Sequence, residues 1–273
     1  MSPWVGEADV ACPGTVLPMD QARYRWYLDE LTRWAGAHPS VIGLVTLGSA
    51  AGLSHAPDEW SDHDVWVVTL EGTAAPFRND PSWLPDAESI IGWFVETAHG
   101  RSAVYEDGHL VEVAIFEDPE LELARANDFR VLYDRGGIEV RLERIAANTA
   151  AEGGNQADLA AGRFLVEMII GLGRLGRGEL LSAGELIRSR AVASLLRTIG
   201  GEHELLDDLD PLRRVEMVYP ALAERLSQSL SLPLVDGAQS LVDIAEEYLP
   251  RTLLGPAAVQ VLRMRIDRVR SVL

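Results

Sequence analysis

The spacing of apolar residues changes once along the chain, near residue 137, and this constrains the fold more than any other feature. Before that point, apolar runs of strand length recur at 41–47, 65–70, 90–97, 102–105, 110–116 and 129–133. Polar, Gly- and Pro-containing stretches separate them, the pattern of strands and turns. Only 20–37 reads as an amphipathic helix in this half, with Tyr24, Tyr27, Leu28, Leu31 and Trp34 at helical spacing, and 119–127 as a short one. The stretch 71–88 reads as a long loop, and Asp107-Gly108 as a hairpin turn. After residue 137 apolar residues fall three and four apart through 138–149, 157–172, 180–199, 211–230, 239–248 and 256–272. A mixed sheet followed by a helical bundle, an α+β chain divided into 1–137 and 138–273, is the expected architecture.

Charge and composition narrow the function. The net charge is −18, and it is uneven: up to Glu152 there are 10 Arg against 26 acids, and from Gly153 onward 14 Arg against 16. So acidic a first half repels a phosphate backbone, which argues against extended nucleic-acid binding; it would attract a cationic small substrate, although on charge alone general solubility is the simpler reading. No lysine is present, so a lysine phosphate loop or Schiff base is excluded. A lone Cys12 allows no intrachain disulfide. Met1 to Pro18 lack the basic and apolar regions of an export signal, and no apolar run is long enough to span a membrane. The chain reads as soluble and cytoplasmic.

The segment that carries chemistry begins at Leu47-Gly48-Ser49 and continues at Ser61-Asp62-His63-Asp64, directly before an apolar strand. Side chains alternate along a strand, so Asp62 and Asp64 share one face and His63 takes the other. Their Cα atoms should lie about 6.7 Å apart. Carboxylates so placed can bracket two divalent ions about 3.5–4 Å apart. The pair alone decides nothing, because about six such pairs are expected by chance in so acidic a chain. Its context does: a Gly-Ser turn after one strand suits a phosphate, since Gly48 permits close approach and Ser49 offers a hydroxyl. Glu112 is the one acid inside the apolar run 110–116. If buried, a carboxylate there needs a partner, and a metal shared with Asp62 and Asp64 would provide one; a solvent-facing position or an Arg partner is the alternative.

These residues resemble the DNA polymerase beta-type nucleotidyltransferase superfamily. Ser61-Asp62-His63-Asp64, 110–116 and Arg130-Val131-Leu132-Tyr133-Asp134-Arg135-Gly136 look like its antibiotic-modifying members, the aminoglycoside and lincosamide nucleotidyltransferases. The likeness covers roughly 40–140. It implies a catalytic domain at 1–137 and a helical substrate-binding domain at 138–273. It also implies an NTP, with ATP the leading expectation, carried with two Mg²⁺ ions. Asp62, Asp64 and Glu112 would hold the metals, and Gly48 and Ser49 the triphosphate. A hydroxyl of a small-molecule acceptor would then attack the α-phosphorus and release pyrophosphate. The resemblance allows a homodimer. One departure is the long stretch between Ser49 and Asp62, which carries Pro57, Asp58 and Glu59.

In the helical half, Glu167 is the most isolated acid and the candidate general base, and Arg174 is a candidate phosphate contact. A nucleotidyltransferase acting on a protein, and a non-catalytic nucleotide sensor on the same fold, remain alternatives. Gly171-Leu172-Gly173-Arg174-Leu175-Gly176 matches a dinucleotide-binding fingerprint, yet no strands alternate with helices around it. It reads as a Gly-rich link between helices. The six histidines show no zinc-ligand spacing.

Overall fold

The computed structural model describes residues 21–51, 58, 60–154, 157–202 and 210–273. The N-terminal segment with Cys12, and the loop positions 52–57 and 59 between Ser49 and Asp62, lie outside the described residues. The fold is α+β: a six-stranded mixed sheet followed by helices. By internal contacts the chain divides into two compact units, one ending at Thr149 and one beginning at Ala150.

In chain order the first unit contains α1 (Gln21–Ala37), β1 (Val41–Leu47), β2 (His63–Thr69), α2 (Ala75–Asn79), β3 (Ile90–Val95), β4 (Gly100–Tyr105), β5 (Leu110–Glu117) and β6 (Phe129–Asp134). It also takes in most of α3 (Ile138–Gly154). The sheet order is β3-β4-β5-β2-β1-β6. The β2–β5 pair is parallel and the other pairs are antiparallel.

Helix α1 covers one face. Tyr24, Tyr27, Leu28, Leu31 and Ala35 pack against Leu44, Val65, Val67, Val111, Val113 and Ile115. In β2 and β5 these residues alternate with those of the other face, as a pleated strand requires, whereas in β1 a register shift between Val41 and Gly43 puts Ile42 and Leu44 on opposite faces. On that other face Ile138, Leu142 and Ile145 of α3 pack on Ile42, Val45, Val68 and Phe116. That packing carries the contact boundary past the change in periodicity, into α3. Gly43 lets α3 approach: a Cβ there would lie 2.6 Å from Ile138 Cγ1. The helix is capped by Asp134, whose Oδ1 accepts the N–H groups of Gly136 and Ile138 at 3.0 Å and whose Oδ2 accepts that of Glu139 at 3.1 Å. Burial acts to raise the Asp134 pKa, but these N–H donors outweigh it and hold the carboxyl below its usual range.

The stretch read as a long loop contains α2, seeded by Pro76 in its first turn and anchored by buried Phe77. The segment read as a short helix after β5 is a 3₁₀ turn, Asp118–Leu123, closed by a reciprocal Glu117–Glu120 capping box.

The second unit holds α4 (Ala157–Gly176), α5 (Leu180–Gly184), α6 (Ala191–Glu202), α7 (Val215–Val218), α8 (Pro220–Ser231), α9 (Leu234–Tyr248) and α10 (Pro256–Arg270). Phe164, Met168, Leu172 and Leu175 form the buried stripe of α4. The expected single helix over 180–199 is interrupted by a π-helical turn, Glu185–Arg190. The one over 211–230 is broken at Tyr219, because Pro220 has no N–H to continue a helix from α7. The Gly-rich segment at 171–176 is the end of α4 rather than a link. Among the described residues, no helix is long and apolar enough to cross a membrane.

Candidate metal centre

The face that α3 covers at its Val68 and Phe116 end carries acids at the opposite ends of β2 and β5. Asp64 and Glu112 are register partners across the parallel pair. Asp62 lies one residue before β2. Asp62, Asp64 and Glu112 each offer a carboxylate oxygen, and these oxygens all lie within 4.8 Å of one another. The two aspartates are half-buried and Glu112 is exposed, so the cluster opens to solvent.

The donor set is oxygen only, with no Cys or His, which suits a hard divalent cation such as Mg²⁺. At about 2.1 Å per Mg–O bond, two oxygens on one ion sit about 4.2 Å apart at most. The 4.8 Å limit on this cluster lies just above that range. Three carboxylates so close repel one another until a cation neutralises them.

Several contacts fix the approach to β2. The Tyr24 hydroxyl on α1 donates to the Asp62 carbonyl at 3.0 Å. Just upstream, Asp58 closes a turn: its Oδ1 accepts the Trp60 N–H at 3.0 Å and the Ser61 hydroxyl at 3.1 Å. Asp58, noted in the sequence only as part of an unusual insertion, thus helps set where β2 starts.

Gly48 stands at the end of β1, which pairs with β2 as far as Thr46–Val65. Its φ of 55° is left-handed and opens the 3₁₀ turn Gly48–Ala51. Its N–H donates to the Asp128 carbonyl at 3.2 Å, so this donor is already engaged. Any phosphate contact at the turn falls to the groups after Gly48. The Ser49 side chain lies outside the described residues.

His63 points to the opposite face, as strand alternation requires, and is 0% exposed. Its ring stacks on Tyr24 at 3.8 Å. Its Nε2–H donates to the Tyr24 carbonyl at 3.1 Å, so in the neutral ring Nδ1 accepts from His109 Nε2–H at 2.7 Å. Burial, with His109 beside it, pushes His63 down to about 3. Burial pushes His109 down to about 4. His109 Nδ1 is left buried with no hydrogen-bond partner among the described residues. The histidines that look scattered in sequence therefore include one buried pair, directly behind the acids. Only the pairing of β2 with β5 shows this, because the two are 46 residues apart.

Glu167 and Arg174 belong to α4 in the second unit. Glu167 is half-buried and accepts the Ser194 hydroxyl of α6 at 2.7 Å. Arg174 lies in the last turn of α4, in the electrostatic reach of Glu179.

No family model and no curated protein matches the chain. Among solved structures it is similar to an aminoglycoside 6-adenyltransferase from Bacillus subtilis, at 13% identity and a TM-score of 0.33, over 90% of this chain and 98% of that one. It is also similar to a CdnC:HORMA-deltaN complex from E. coli MS115-1, at 15% identity and a TM-score of 0.29, over 88% of each chain. With TM-scores of this size, the site has to be read from its own residues.

Proposed function

We propose that the chain transfers a nucleoside monophosphate, AMP from ATP in the leading case, to a hydroxyl of a small molecule and releases pyrophosphate. The observation that carries this reading is the three-carboxylate cluster on adjacent strand ends, beside the left-handed turn at Gly48. Asp62, Asp64 and Glu112 would hold Mg²⁺, which supplies charge neutralisation for the triphosphate when bound. The turn at Gly48 and Ser49 would face that triphosphate. Glu167 is proposed as the base that takes the acceptor's proton, and Arg174 as a phosphate contact. The acidity of the first half favours a cationic or neutral hydroxylated acceptor, with aminoglycosides and lincosamides the first classes to test.

The test is pyrophosphate release from the purified protein with Mg²⁺, each of the four NTPs and a pool of aminoglycosides and lincosamides. An Asp62→Asn/Asp64→Asn double variant runs beside it. Acceptor-dependent release that the double variant lacks supports the proposal. Release that survives in the double variant, or no release with any NTP and acceptor, overturns it.

A further inference from the structure

The sheet does not hold the three carboxylates equally. Asp64 and Glu112 lie inside β2 and β5 and are partners across the parallel pair. Asp62 precedes β2. It lies one residue outside the register with β5, which begins at His63–Val111, and further outside that with β1, which ends at Thr46–Val65. Its direction therefore depends on what else grips the chain at that point.

One residue of α1 supplies the grip, from the face opposite the acids. Tyr24 is 2% exposed. Its hydroxyl donates to the Asp62 carbonyl at 3.0 Å. Its ring stacks on the His63 imidazole at 3.8 Å, with the two planes 18° apart. Its own carbonyl accepts the His63 Nε2–H at 3.1 Å. Hydroxyl, ring and backbone of Tyr24 thus hold two consecutive residues, the first aspartate and the histidine between the two aspartates. His109 closes the other side of the His63 ring at 2.7 Å, and Tyr27 leans on it with centroids 4.7 Å apart.

A phenyl ring at position 24 would fill the same space against His63. The hydroxyl adds a polar group to a core, which is stable there only with a partner. Its partner is the backbone of a residue in the carboxylate cluster. The cluster's oxygens lie within 4.8 Å of one another and repel. Strand pairing restrains Asp64 and Glu112, so Asp62, beyond the register, is the acid that repulsion can push away. A hydrogen bond on its carbonyl opposes that displacement before any cation arrives. On the reading that Asp62, Asp64 and Glu112 hold a divalent cation, we infer that Tyr24 is a positioning residue for that site, its hydroxyl keeping Asp62 in place to ligate.

Mn²⁺ is the probe, because it takes the same oxygen ligands as Mg²⁺. It is titrated into the whole chain, and the free ion is counted by electron paramagnetic resonance. Tyr24→Phe keeps the ring on His63 and removes only the hydroxyl, and should weaken Mn²⁺ binding about tenfold. Tyr27→Phe is the matched control. Tyr27 is equally buried on the same helix, and its hydroxyl bonds that of Tyr105 at 2.8 Å rather than the site. This variant also loses a buried hydrogen bond, yet should leave the Mn²⁺ affinity unchanged. Asp64→Asn should remove the binding and so locates it. Circular dichroism and thermal melting check the fold of each variant. Mn²⁺ binding that Asp64→Asn removes and Tyr24→Phe leaves intact overturns the role of Tyr24 and spares the cation site. Equal weakening in Tyr24→Phe and Tyr27→Phe reduces the effect to general loosening and also overturns that role. No binding by the unaltered protein, or binding that survives Asp64→Asn, overturns the cation site and the inference with it.

Discussion

Two glycines of α4 should respond to the same substitution with opposite signs. Gly162→Ala adds a methyl where nothing lies within 4 Å. The change from Gly to Ala inside a helix is favourable by about 0.8–1.0 kcal/mol, so this variant should gain about 1 kcal/mol. Gly171→Ala has the same intrinsic gain. Its new Cβ, however, would sit 2.6 Å from Ile187 Cγ1, 3.2 Å from its Cδ1 and 3.3 Å from Leu186 Cβ. Carbon atoms pack at about 3.5–4.0 Å, so the overlap with Ile187 is about 1 Å. Ile187 is fully buried in the π-helical turn, so making room for the methyl means displacing its packed neighbours. Overpacking of this kind costs about 1–3 kcal/mol, and with so large an overlap the upper part of that range applies. The net loss should be about 1–2 kcal/mol, leaving the two variants about 2–3 kcal/mol apart. Urea unfolding followed by far-ultraviolet circular dichroism reads the difference as a shift in midpoint. Gly171→Ala in an Ile187→Ala background should lose much less than the two single variants summed. If both alanines raise the midpoint, then Gly171 is not there for close packing, and the Gly-rich end of α4 needs another explanation.

Three further outcomes follow from the first unit. Asp134→Ala removes the acceptor of three backbone N–H groups at the start of α3 and should cost about 1 kcal/mol in thermal or urea unfolding. The Asp134 pKa is depressed in the folded state, so its contribution is present above the unfolded value and is lost as pH falls. His109 is held down to about 4 among Tyr27, Tyr105, His63, Asp107 and Arg23. The unfolded chain therefore takes up a proton near 6.5 that the folded chain refuses, and stability should fall by about 2 kcal/mol from this group between neutral pH and pH 5. His109→Gln should flatten that part of a pH–stability curve; an unchanged curve would count against the buried neutral pair. Millimolar Mg²⁺ should raise the melting temperature by a few degrees, as expected for about 1 kcal/mol of ligand linkage. Asp64→Asn should remove most of that shift, and a shift that survives would place the cation elsewhere.

Much of the fold could be read locally. The strand β1 follows from its continuous apolar run, because a strand covered on both faces buries nearly every residue, and the helix that begins at Ile138 follows from apolar spacing near 3.6. Elements whose ends depend on a single residue were harder to read. Tyr219-Pro220 breaks a helix that the apolar spacing alone runs straight through. The π-helical turn at Glu185–Arg190 leaves no trace in that spacing. Short α2 depends on burying Phe77 rather than on its own periodicity.

The candidate site divides in the same way. That Asp62 and Asp64 share a face and His63 takes the other is a property of strand geometry, so two residues of sequence are enough to determine it. The proximity of Glu112 to Asp64 is set by the register of a parallel pair whose strands are separated by α2, β3 and β4. The same register joins His63 to His109 and lays α1 over both. Local spacing determines which way a side chain points from its own backbone. Which other side chains it meets is decided only when distant segments pack, because that depends on burial across the whole unit.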